Sequence, residues 1–198
     1  MEITSAISAI LGAFGLSGAA GLNAWLPLLA VGAADRFGWI ELGPSYGWLS
    51  STPALIVLVV VFVLDLVGDK IPALDSVLHA VGTFIAPASG AILFTAETSL
   101  SSNLPPAVAA ILGAITAGSV HAGRTVARPF VTGTTAGVGN PVVSTAEDGT
   151  SLVLTILALA VPILAFVVVL ALMVALGWVA LRAIRWARGR RRTDSASP

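Results

Sequence analysis

The sequence predicts an all-α integral membrane protein of about five transmembrane helices, with two Gly/Pro-rich segments that are re-entrant or interfacial. Three observations predict it. Hydrophobic residues make up 57% of the chain and charged residues only 10%, whereas a soluble domain carries about 25% charged; mean hydropathy is +0.97. The run Leu152 to Leu181 holds no charged residue and exceeds the roughly 20 residues that cross a bilayer at 1.5 Å per residue. Six of the ten basic residues follow it at once (Arg182, Arg185, Arg188, Arg190, Arg191 and Arg192). Basic residues concentrate on the cytoplasmic side, so this cluster places the C-terminus inside.

The elements follow in order. Met1-Glu2-Ile3-Thr4 has no basic n-region and no small-residue cleavage site, so no cleaved signal peptide is expected. The apolar stretches of spanning length or nearly so are Ile7 to Ala34, Pro53 to Gly68, Pro105 to Gly123 and Leu152 to Leu181. A fifth, Val81 to Ala96, is short and interrupted by Pro87 and Gly90. Strand-like alternation is absent and Leu55 to Leu64 is a solid apolar block, so helices are the spanning structure. Residues 1–186 are expected to form the transmembrane bundle and 187–198 a basic, disordered cytoplasmic tail. Beside a spanning helix that tail reads as an inner anchor that attracts anionic headgroups, not as a nucleic-acid patch. Zero cysteines exclude disulfides, thiolate metal sites and cysteine catalysis.

Five crossings with the C-terminus inside put the N-terminus outside, and with it Lys70, Arg124 and Arg128. That runs against the usual charge bias, unless these residues are held within the protein. An internal echo agrees with the second option. Ala9-Ile10-Leu11-Gly12-Ala13 recurs as Ala110-Ile111-Leu112-Gly113-Ala114, and Gly21 and Pro27 keep the spacing of Gly123 and Pro129. A repeat inserted in opposite senses is the plan of many secondary transporters; chance similarity between Ala/Gly/Leu-rich helices is the plain alternative. The two irregular segments are Asp69 to His79 and Arg128 to Pro141, and non-helical backbone at membrane depth is tolerated only under protein or against a water-filled cavity.

Asp65 is the most informative residue, because it follows ten apolar residues inside or near the end of a spanning helix. A charge there costs roughly 2.5–3.5 kcal/mol at a helix centre and turns to the bundle interior. Asp69 lies one turn on, so the two carboxylates can share a proton, bind a cation or meet a basic residue. Asp75 and His79 are four apart, which on a helix lets the carboxylate fix the imidazole tautomer for proton relay or metal ligation; an N-capping aspartate with an interfacial histidine is the structural alternative. Nothing in their spacing matches a zinc motif, so no metal and no cofactor is assigned.

His121, Arg124 and Arg128 fall at i, i+3 and i+7 on one stripe. They either snorkel to the interface or point inward, to meet Asp65 or Asp69 or to bind an anion. Backbone N–H groups around Gly137, Gly139 and Asn140 would add an anion-binding nest. No Gly-Lys-Ser/Thr follows, so this is not a nucleotide-binding loop. Asn23 and Trp25 interrupt the first stretch beside Gly18, Gly21 and Pro27, where a packing role is expected. Trp39 and Trp48 mark one membrane surface, and Trp178 and Trp186 the inner end of the last helix.

Gly21-Leu22-Asn23-Ala24-Trp25-Leu26-Pro27, then Asp69-Lys70-Ile71-Pro72 with Asp75 and His79, then Gly139-Asn140-Pro141 with Ser144 and Glu147-Asp148 together resemble a bacterial integral-membrane family described as a domain of unknown function. The likeness runs from about Gly12 to Leu170 and implies a small multi-spanning protein, without a substrate. The functional expectation is a bacterial inner-membrane permease for a small anionic solute or a lipid phosphate headgroup. Protons would couple at the acidic pair, and a homodimer is one arrangement open to it. A metal-dependent enzyme on a lipid-linked substrate, built on Asp75 and His79, and a scaffold subunit are the alternatives.

Overall fold

The structure is a computed structural model. It describes the backbone of residues 2–68, 72–135 and 138–194, and all side chains there except those of 2, 72–80, 130, 131, 134, 183, 184 and 186–194. The described residues form helices and connections without a strand: α1 (Glu2–Leu22), α2 (Leu26–Arg36), a 3-10 segment (Pro44–Ser50), α3 (Thr52–Gly68), α4 (Pro72–Thr98), α5 (Pro106–Thr135), α6 (Asn140–Ala160) and α7 (Pro162–Asp194). Four of them are long and apolar enough to cross a membrane (Ile3–Leu22, Pro106–Pro129, Asn140–Ala160, Pro162–Arg182). The 3-10 segment and α3, bent by 57° at their break, pass the same test only together, as a broken span or a re-entrant loop, so the candidate spans number four or five among the described residues. The chain is an all-helical, multi-pass membrane protein.

α1 is the central helix, and its sequence explains why. Gly12, Gly15, Gly18 and Gly21 recur every third residue, and each lets a neighbour approach where a side chain would collide. They meet Ala158 of α6, Ala165 and Val169 of α7, and Val120 of α5 respectively, with Ala158 also against Gly15. Small residues of this kind let membrane helices pack by close backbone contact. Ala13, Leu16, Ala19 and Ala20 are fully buried between them. The α4–α5 pair is built likewise, with Gly90 and Gly113 lying against each other's main chain. Phe94 seals the space between α1 and α5, edge-on to Phe14 at 5.0 Å. Ser17 donates to the Gly90 carbonyl at 3.0 Å and Ser151 to the Ala19 carbonyl at 2.9 Å, so hydroxyls tie the bundle inside. Valines of α3 and α7 (Val59, Val63, Val167, Val174) are left exposed on the outside. In lipid that exposure has no hydrophobic cost.

The stretch Val81 to Ala96 lies within α4, which runs unbroken from Pro72 to Thr98 through Pro87 and Gly90 and takes up Pro72 to His79 of the first irregular segment. Three further boundaries differ from the expectation, each for a local reason. The run Ile7 to Ala34 is two helices because Asn23 breaks it: its Oδ1 accepts the N–H groups of Trp25 and Leu26 at 3.0 Å each, and Pro27 stands where α2 needs no donor. The run Leu152 to Leu181 is also two helices, parted at Val161 ahead of Pro162, because proline cannot continue the α6 hydrogen-bond ladder. Most of the stretch Arg128 to Pro141 is helical: α5 runs through Pro129 to Thr135, and α6 starts at Asn140 after a turn at Val138-Gly139. Thr135 accepts the Gly139 N–H at 3.1 Å, and the Thr132 hydroxyl meets Asn140 Oδ1 at 3.0 Å across that turn. α7 itself carries the chain on to Asp194.

Candidate functional site

The polar residues gather where α1 gives way to α2. A helix end leaves carbonyls and N–H groups without intrahelical partners, and side chains serve both ends of this break. Asn23, 3% exposed, caps α2 with its oxygen. Its Nδ2 donates to Asp65 Oδ2 of α3 at 3.2 Å and to Asp148 Oδ1 of α6 at 2.8 Å. One amide thus joins four helices. On the other side, Arg124 of α5 donates through Nη1 to the Leu22 carbonyl, the last of α1, and to Glu147 Oε2 at 3.4 Å. Arg128, one turn on, donates to the same Glu147 oxygen at 2.8 Å. The pairs are largely shielded, with side-chain exposures of 14% for Arg124, 9% for Arg128 and 13% for Glu147. Arg124 Nε is buried with no hydrogen-bond partner among the described residues.

A pocket of about 40 Å³ opens beside this break. Its wall includes Asn23, Trp25, Asp65, Gly82, His121 and Arg124. That is room for water, since a single molecule needs at least roughly 10–15 Å³ of such space. The buried His121 ring lies against Gly82 of α4, where an added Cβ would stand 2.9 Å from Cε1. Asp148 sits 8 residues after the start of α6 and 12 before its end, roughly 12 and 18 Å along the axis, and is partly buried.

The structure therefore brings Asp65, His121 and Arg124 to one pocket and sets Arg128 beside it on Glu147. Gly139 and Asn140 are engaged in the α5–α6 turn and do not line the pocket. Asp69, Lys70 and Gly137 lie outside the described residues. Asp75 and His79 fall in the first turns of α4, and their side chains are outside the description. No group of three or more metal-binding side chains occurs among the described residues.

Sequence reasoning missed three contributors. For Asn23 a packing role with hydrogen bonds across the helix interface is expected, and it makes them; its role at the start of α2 is the missed part, although an asparagine just before a Pro-initiated helix is an N-cap signal. Glu147 and Asp148 stood out only as part of a motif. Their helix was not recognised, because four polar residues interrupt its first turns, so nothing marked them as the partners of Arg128 and Asn23.

Fold and site define a class: a small helical membrane protein with a cluster of ionisable side chains at a broken helix. More particularly, the chain belongs to the family DUF4126, a domain of unknown function, whose sequence profile matches residues 10–182. No curated protein and no solved structure matches it.

Proposed function

We propose that this protein is a small permease of the bacterial inner membrane that passes a small anion across the bilayer at Arg124 and His121, with Asp65 and Asp148 exchanging protons. Inorganic phosphate and a lipid phosphate headgroup share the chemistry that Arg124 selects, a charged oxygen fork met by paired N–H groups. The observation that carries the reading is the pocket at the α1–α2 break, where a guanidinium and a carboxylate share a wall inside an apolar bundle. Broken helices of this kind form the substrate and ion sites of secondary transporters. In this reading the arrangement is a closed state, with Arg124 held by the Leu22 carbonyl and Glu147 beside a space of about 40 Å³. Anion entry would draw Arg124 off the carbonyl.

Reconstituted vesicles test this. Phosphate uptake should follow an imposed pH gradient, vanish in Arg124→Gln and lose its pH dependence in Asp65→Asn; equal uptake in all three and in empty vesicles removes the reading. A second reading, a scaffold subunit, is favoured by the number of these charged groups that are bonded to one another. It predicts that Arg124→Gln and Asp65→Asn change stability and assembly while no solute moves.

A further inference from the structure

Glu97 stands apart from the Asn23 cluster. It lies in the last turn of α4, partly buried, beside the connection to α5. Gly12 of α1 faces it. The point where a Cβ on residue 12 would stand is 3.2 Å from Glu97 Oε1 and 3.1 Å from the main-chain oxygen of Ala158 on α6. Two acceptor oxygens from different helices thus look into one small space, which glycine leaves open.

The Ala158 carbonyl lacks its helical donor. It would accept from the N–H of residue 162, but that residue is Pro162. The chain turns at Val161, whose own N–H goes to Leu157. No charged residue or histidine occurs in 3–22, 81–96, 106–120 or 149–181, the parts of α1, α4, α5, α6 and α7 at this end of the bundle. On α2 and the connection after it, Asp35 accepts the Leu42 N–H, Arg36 donates to the Ser50 carbonyl and Glu41 is exposed. Nearby hydroxyls are committed as well: Thr98 donates to Phe94, Ser99 to Ala96 and Thr155 to Ser151.

We infer that Glu97 is a proton-binding site: it keeps its proton in the folded protein and donates it to the Ala158 carbonyl, tying α4 to the end of α6. An ionised carboxylate there would face a second acceptor in apolar surroundings with no cation among the described side chains to balance it, which is strongly disfavoured. Protonation turns the same contact into a hydrogen bond and satisfies the carbonyl that Pro162 leaves open. The inference stands without the permease reading, since its test reads no flux.

The test is infrared spectroscopy of the full chain in lipid bilayers at neutral pH. The wild type should show the carbonyl band of a hydrogen-bonded carboxylic acid. That band should be absent in Glu97→Gln and retained in Asp65→Asn. Pro162→Ala gives Ala158 a main-chain donor, so the acid band should shift or disappear. Glu97→Gln should melt with the wild type, because the carboxamide N–H replaces the O–H, while Glu97→Ala melts lower. A band that survives Glu97→Gln, or one left unmoved by Pro162→Ala, overturns the proposal, and the second measurement decides even if Glu97→Gln does not fold. Loss of the wild-type band on adding sodium overturns it in favour of a cation site.

Discussion

Asn23 joins the break to the acidic residues, and replacing it separates its two roles. Asn23→Ala removes the cap of α2, worth about 1 kcal/mol. It also removes the donors to Asp65 and Asp148, worth about 0.6 kcal/mol each on the membrane scale and up to about 1.5–3 as charge-assisted bonds. The expected loss is roughly 2–7 kcal/mol. On the scale for domains of this length, a loss of ~3 kcal/mol lowers the melting temperature by roughly 6–12 °C. Asn23→Asp keeps the cap oxygen but turns two N–H···O contacts, at 3.2 and 2.8 Å, into contacts between carboxylates. At an effective dielectric constant of about 20, two charges ~3 Å apart repel by roughly 5 kcal/mol. Asn23→Asp should therefore be the less stable variant, although it is the closer in shape. Thermal unfolding in detergent, followed by tryptophan fluorescence with Trp25 beside the site, gives the order. If Asn23→Asp is as stable as the wild type at mildly alkaline pH, the bridging role is wrong.

Three further outcomes follow from the same geometry. Glu147→Gln leaves Arg124 and Arg128 without their shared carboxylate and should cost about 3–5 kcal/mol. Adding Arg128→Gln should recover part of that, which a double-mutant cycle by thermal unfolding measures. Gly82→Val drives a side chain into the His121 ring and should cost about 1–3 kcal/mol, whereas Gly47→Val, with open space around it, should melt with the wild type. Because the chain has no cysteine, a single Ser197→Cys is labelled without background. A membrane-impermeant maleimide should reach it only in inverted vesicles if the C-terminus is cytoplasmic.

Much of the site was legible one residue at a time. Asp65 and Arg124 stood out because a charge in an apolar run needs an inward partner, and the i, i+3, i+7 stripe put His121, Arg124 and Arg128 on one face. The partners were not legible. Glu147 and Asp148 follow the α5–α6 turn, and the apolar run that marks a span begins only after them, at Leu152. The two splits, at Asn23 and at Pro162, were marked by familiar start and stop residues, yet the surrounding apolar residues concealed them.

The solvent of this protein follows from its composition, and the helical state of its spans follows from a backbone that has no water to bond inside lipid. Which charges meet is a different kind of fact. Asn23, Asp65 and Asp148 are separated by 42 and 125 positions from the first to the others, and only the packing of α6 against α1 and of α3 against α2 and α4 makes them neighbours. Local propensity acts over a few residues, whereas close approach along the glycine row of α1 decides which helices share an axis and which polar groups come within bonding distance.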